Sequence, residues 1–524
     1  MYDILIRNGI IIDGTGKPGF KASLGIKKNK IAKIGKISWS KGRTEIDARG
    51  KIVAPGFIDI HNHSDGYWQI FLEPQLSSLL YQGITTIIGG NCGASIAPLA
   101  DIKIIESIQK WTDLKKVNID WLSMEEFSEK MRMKKMSLNF GTLVGHGTLR
   151  RGIIHDEMRR LSRDEFEEMK RTLDKSLAEG ALGFSVGLAY SHEKPATWDE
   201  LAEFAEIVKS HNRFCAIHLR DEAGEIITAL KEAIDLSKRT GVGLEISHLK
   251  VMGEKNWPLM DEVLEIIGSS KEAGIDVNFD FYPYTQTGSV LYMYLPAWAA
   301  EGGKKMLIRR LKEKPLREKV VEEMKKTAQY HYEEAIIAAC SFSKSLTKRK
   351  ISEIAVERGL STEETIIDLL AASEGRVITI MECLSEDNLK KLVQHPLSII
   401  ATDGAGYSLT HKESGELVHP RSFGTFPRVL GKYVREEKLL SLEEAVKKIT
   451  SFPAKRLGLS DRGILEKGKI ADIAVFDPKI ISDRATVENP YQYSEGIEQV
   501  IVNGKFALRG RKLTGEMAGE FISS

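Results

Sequence analysis

The feature that most constrains this chain is a rhythm repeated along its middle. A short apolar segment runs into a polar end, and an amphipathic stretch follows. Eight such apolar segments stand out, at 56–63, 85–92, 138–146, 182–190, 214–220, 243–250, 276–284 and 397–403. Helical periodicity fills most of the gaps, as over 163–179, 197–212, 222–240 and 258–273. Near-continuous apolar strands alternating with helices predict a parallel sheet buried on both faces. Eight repeats predict that this sheet closes into a (β/α)8 TIM barrel.

The two ends read differently. Residues 1–54 form short β-rich pieces separated by turns such as Lys27-Lys28-Asn29. The last stretch matches them, with strand patterns at 472–476 and 497–502 and a hairpin signal at Asn503-Gly504. Neither end is large enough for its own core. They are expected to pack together as one small β-sandwich domain, built from 1–54 and 451–524, beside a barrel over 55–450. One interval breaks the rhythm: 286–345 is rich in Lys and Arg and reads as a helical insertion near the barrel mouth, where lids are carried.

At 524 residues, with 75 basic and 73 acidic side chains and a formal charge of +2, the chain has no general attraction for nucleic acid or anionic membranes. No apolar run nears the ~20 residues of a membrane span. The opening Met1-Tyr2-Asp3 lacks the basic start of a signal peptide. Four cysteines in so long a chain are not a disulfide framework, so a reducing cytoplasm is the expected compartment and a small molecule the expected partner.

The chemistry sits at the strand ends. His61-Asn62-His63 closes the first, Cys92 the second, His218 the fifth, His248 the sixth and Asp403 the eighth. In a barrel these ends share the face that carries active sites. Singly, each has a plain structural alternative, such as a packed thiol or a turn-forming Asp. Together they place nitrogen and sulfur donors on different strands at one end, a set that suits zinc better than magnesium or calcium. Asp65 is expected on the same face as the His61/His63 pair, and His146 toward the pocket. A carboxylate such as Asp403 beside a metal-activated water can take its proton and pass it to a leaving amine. Hydrolysis of an amide is the reaction that fits.

At these residues the chain resembles the amidohydrolase superfamily and, within it, the N-acyl-D-amino-acid deacylases (D-aminoacylases). Superfamily features are the Asp3-Ile4-Leu5-Ile6-Arg7-Asn8-Gly9 opening, the Ala54-Pro55-Gly56-Phe57-Ile58-Asp59 lead into His61, and 468–476. Branch features are Gly90-Asn91-Cys92-Gly93, 183–190, Ser247-His248-Leu249-Lys250 and 419–428. The fourth strand lacks the lysine that many superfamily members use to bridge two metals, and the branch uses a cysteine on strand two instead. The resemblance implies a tight zinc on Cys92, His218 and His248, and a second, weaker site at His61 and His63 with Cys92 shared. It implies Asp403 as general acid/base, and Tyr190, Lys250, Tyr282, Ser289 and Arg421 as candidates to hold the substrate carboxylate. The implied reaction is hydrolysis of N-acyl-D-amino acids. Dipeptides with a D-residue and cyclic amides of the hydantoinase or dihydroorotase kind are the alternatives.

Overall fold

The computed structural model describes residues 1–38, 41–105, 117–155, 157–327 and 331–524. The N-terminal strands are β1 (Tyr2–Ile11), β2 (Phe20–Lys27), β3 (Lys30–Gly35), β4 (Gly42–Asp47) and β5 (Ile52–Pro55). The barrel follows with β6 (Phe57–Asp59), β7 (Ile84–Gly89), β8 (Asn139–Thr142), the short β9 (Val144–Gly145), β10 (Gly183–Gly187), β11 (Phe214–His218), β12 (Gly243–Ile246) and β13 (Val277–Phe281). An antiparallel sheet intervenes, made of β14 (Gln286–Val290), β15 (Ile336–Cys340) and β16 (Val377–Glu382), before β17 (Ser398–Ile400) returns to the barrel. The chain closes with β18 (Ile473–Phe476), β19 (Ile497–Val502), β20 (Lys505–Arg509) and β21 (Lys512–Leu513).

All barrel pairings are parallel, in two arcs: β6-β7-β8, and β9-β10-β11-β12-β13-β17. Backbone bonds close the ring on both sides. Leu182 N–H donates to Thr142 O (3.0 Å), and Asp403 N–H to His61 O (2.9 Å). The pleat sorts the side chains. Ile58, Ile60, Ile88, Leu143, Leu182 and Ile399 fill the interior. Phe57, Ile87, Phe140, Ile217 and Phe279 face outward into the core shared with the helices.

Strands from both chain ends meet in one nine-stranded sheet, ordered β21-β20-β19-β18-β5-β1-β2-β3, with β4 beside β1. The seam is β5 against β18, antiparallel, pairing Val53 with Val475. Three expectations need correction. The stretch after 451 is not all β: Ser451–Arg456 is a helix, and Ala454 packs into the barrel interior. The last residues also return to the barrel, where Ile522 N–H reaches Phe140 O (2.7 Å) and its side chain joins the interior. The insertion outruns 345 and is not purely helical. Its strand β14 contains Gly288 and Ser289, too polar to read as a strand, and β16 lies beyond the expected end.

Candidate metal centre

The first strand ends at Asp59, so His61 and His63 lie on the segment beyond it. That segment is pinned to the eighth strand end, His63 N–H donating to Gly404 O at 2.7 Å. Cys92, His248 and Asp403 each sit just past a strand with left-handed backbone, at φ 54°, 36° and 46°. Such backbone costs about 1–3 kcal/mol for a residue other than glycine, and collects at functional sites. Gly90 (φ +72°) needs to be glycine, because a Cβ there would stand 2.1 Å from Leu143 O.

The turns bring the donors together. Cys92 Sγ lies 3.3 Å from His61 Nε2 and 3.3 Å from His248 Nε2. His63 Nε2 is 3.0 Å and His61 Nε2 3.5 Å from Asp403 Oδ1. His218 packs edge-on against His248, ring centres 4.4 Å apart, with Nε2 3.5 Å from Glu222 Oε2. Its Nδ1 is buried without a hydrogen-bond partner. Three overlapping triads result: His61/Cys92/His248, His61/His63/Asp403 and His218/Glu222/His248, each with donor atoms within 4.8 Å of one another. Because His61 and His248 are each shared, this is one continuous donor set. Cys92 stands in the first triad with His61 and His248, and His218 in the third.

The electrostatics favour an ionised thiol and an ionised carboxylate. Burial opposes ionisation of Cys92, but the neighbouring His248 and His61 hold its thiol well below the ordinary value. Burial likewise opposes the charge on Asp403, and Arg421, His248 and the His63 hydrogen bond hold it well below the usual carboxylate range. Arg421 Nη1 is 2.7 Å from Asp403 Oδ2. Its guanidinium lies 4.6 Å over the Tyr282 ring, and its Nε has no hydrogen-bond partner.

A cavity of about 250 Å³ opens over these groups. Of the sequence-derived candidates, His63, Cys92, Tyr190, His218, His248, Lys250, Ser289, Asp403 and Arg421 line it. His61 lies fully buried beneath, and Tyr282 stands behind Lys250 and Arg421. Lys250 is already engaged, its Nζ 2.5 Å from Glu222 Oε1 and 2.8 Å from His248 Nδ1.

The amidohydrolase family model matches residues 44–507. Over 522 residues the chain is 32% identical to D-aminoacylase of Alcaligenes xylosoxydans xylosoxydans, covering 100% of this chain and 98% of that one. The chain belongs to the amidohydrolase family, in its D-aminoacylase branch. Two solved structures of that branch agree over the full length of both chains. A D-aminoacylase, described for a binuclear metal centre with one-metal activation and second-metal attenuation, superposes at TM-score 0.85 with 31% identity. The N-acyl-D-glutamate deacylase of Bordetella bronchiseptica, complexed with zinc and a phosphonate mimic of the tetrahedral intermediate, superposes at 0.84 with 30% identity.

In this amidohydrolase two carboxylates support the donors and were not singled out from sequence. Asp280, on β13, lies 3.1 Å from His61 Nδ1 and accepts the His248 backbone N–H at 2.9 Å. One carboxylate thus orients a ring on strand one and fixes the strained backbone on strand six. Glu222, four residues past His218 in the loop before the helix Ile226–Thr240, faces His218, His248 and Lys250. The available signals were an acid in the apolar run Val277-Asn278-Phe279-Asp280-Phe281 and an acid four residues past a candidate ligand. Two expectations fail. Asp65 accepts Gly90 N–H (2.6 Å) and so props the Cys92 loop instead of joining the donors. His146 opens the helix His146–Ile154 and is clamped between Glu193 (2.8 Å) and Glu200 (3.0 Å), away from the cavity.

Proposed function

We propose that this chain is a zinc-dependent N-acyl-D-amino-acid deacylase. Water adds to the acyl carbon, the C–N bond breaks, and a carboxylate and a free D-amino acid leave. The observation that carries the reading is one cavity where a low-pKa thiol, several imidazoles and the ionised carboxylates of Asp403 and Glu222 converge. Full-length similarity to deacylases of this kind supports it. The donor set fits zinc: thiolate sulfur and imidazole nitrogen are its preferred ligands, and the unpartnered His218 Nδ1 leaves a nitrogen for coordination.

Cys92, His218 and His248 would hold the tight ion; His61 and His63, sharing Cys92, would hold a weaker second one. When bound, zinc supplies Lewis acidity toward water and the acyl oxygen. Asp403, ionised and 3.0 Å from His63, accepts the proton of the attacking water and returns it to the departing nitrogen. Arg421, against its other oxygen, keeps that carboxylate charged until the proton arrives. The substrate carboxylate is held by Arg421 and Lys250 with Ser289 and the Tyr190 hydroxyl, and Tyr282 packs behind the two cations. For this Lys250 exchanges part of its contact with Glu222 for the incoming anion. The four cysteines are free and buried, consistent with a reducing cytoplasm. The test is zinc analysis of the purified protein with turnover on matched N-acetyl-D-, N-acetyl-L- and D-dipeptide substrates. Zinc-dependent turnover of the N-acetyl-D series supports the reading, and its absence refutes it.

A further inference from the structure

The first cavity does not end at Asp403. A second one, of about 360 Å³, lies beyond it and shares Tyr67, Gly288, Ile378, Asp403 and Arg421 with the first. The donor set and Lys250 belong to the first chamber alone, apart from Asp403 at the junction. One wall of the second is apolar, made by Ala338, Ala339 and Ile380 of the insertion sheet with Leu72, Leu417 and Val418, while polar groups such as Gln69, Ser341 and His411 line the rest. A site for a drug-sized ligand typically occupies roughly 300–1,000 Å³. The first chamber alone is below that range, and the two together lie within it.

Charge decides which end of a substrate enters which chamber. Lys250 is in the first chamber, and Arg421 stands at the junction with Asp403. The second chamber carries Glu73 and Glu416, and beyond the shared Arg421 its arginine, Arg376, faces Glu374 at 3.4 Å. A substrate carboxylate is therefore favoured in the first and disfavoured in the second. A trans amide sends its two substituents in opposite directions from the C–N bond. With the carboxylate beside Lys250 and the carbonyl at the donor set, the acyl chain is directed past Asp403 and Arg421. The D side chain branches from the carboxylate-bearing carbon, so it stays in the first chamber, near Met252, Val290 and Met293.

We infer that the second chamber is an acyl subsite, and that the chain acts on D-amino acids carrying an apolar acyl group longer than acetyl. This rests on the deacylase reading above and specifies its substrate. Each methylene buried against this wall raises kcat/KM by about fourfold at most.

The test is a series of N-acetyl-, N-butanoyl- and N-hexanoyl-D-leucine, amides of one amino acid with its carboxylate free, turned over by the zinc-loaded full chain. Expected is a kcat/KM that rises with chain length, by about tenfold or more from acetyl to hexanoyl. Ala339→Phe, which fills the chamber, should cut the hexanoyl-to-acetyl ratio by about tenfold, and Leu417→Ala, which enlarges it, should not. As a readout independent of turnover and of the variants' folding, hexanoate should inhibit the wild type more tightly than acetate. A wild type that favours acetyl, or an Ala339→Phe enzyme whose hexanoyl-to-acetyl ratio is unchanged, overturns the subsite. Turnover of acetyl substrates with no gain on lengthening rejects the subsite alone; no turnover on any member rejects the deacylase reading as well.

Discussion

At the scale of single residues, the site depends on which side chains carry charge and which hold the others in place. Asp403→Asn removes the proposed proton acceptor while keeping the shape, so turnover is expected to fall about 10²–10⁴-fold with zinc content unchanged. Near-normal turnover in the zinc-loaded variant would remove Asp403 from the reaction. Asp280 acts on the donors from behind, accepting from the His61 ring and the His248 backbone. Supporting carboxylates of this kind are worth about 10–100-fold in metal affinity. Asp280→Asn should weaken zinc binding by that order in a chelator competition, because an amide N–H₂ then opposes His61 Nδ1–H or the His248 N–H. Unaltered affinity would mean the contact does not orient the ligands.

At the scale of elements, one buried network ties the helix His146–Ile154 to Glu193 and to the helix Trp198–Ser210. His146 bridges Glu193 and Glu200, and Arg150 adds a 2.5 Å contact to Glu200. Breaking a buried pair costs about 3–5 kcal/mol because it strands the remaining charge. His146→Ala should therefore lower stability by about that much in denaturant unfolding, with zinc stoichiometry retained; loss of zinc at full stability would contradict the placement. The elements also mark what sequence could and could not show. The barrel strands were legible because burial on both faces makes them continuous apolar runs. The donors were legible because each stands at the end of such a run. Asp280 and Glu222 were not, because their role depends on which ring nitrogen they face across strands. The insertion sheet was hidden because the Gly288-Ser289 piece of β14 carries no strand-like apolar pattern, and its pairing with β16 spans almost a hundred residues. Residue pattern also could not reveal that the chain's last turn of sequence re-enters the barrel.

At the scale of the molecule, both termini brace the barrel. The 519–524 segment bonds to β8 and buries Phe521 and Ile522. Deleting it removes two buried apolar side chains, Phe521 and Ile522, worth about 1.5–3 kcal/mol each, so a lower melting temperature is expected, and an unchanged one would show that the segment adds no stability. Acid weakens the fold through His395, whose pKa burial and nearby Lys448 lower from 6.5 to about 4. The unfolded chain binds this proton first, so the contribution is complete above pH 6.5 and lost as pH falls from there toward about 4. His395→Asn should flatten the decline in melting temperature between pH 7 and 5, and an identical slope would exclude this source. The central claim is that strand-end donors from across the barrel make one zinc centre that cleaves N-acyl-D-amino acids. Its most direct measurement is zinc content and N-acetyl-D- against N-acetyl-L-amino-acid turnover on the same purified sample, before and after chelation. Bound zinc with D-selective hydrolysis that is lost on chelation and restored by zinc is the expected result. A protein that binds no zinc on titration, or hydrolyses neither series when zinc is bound, would contradict it.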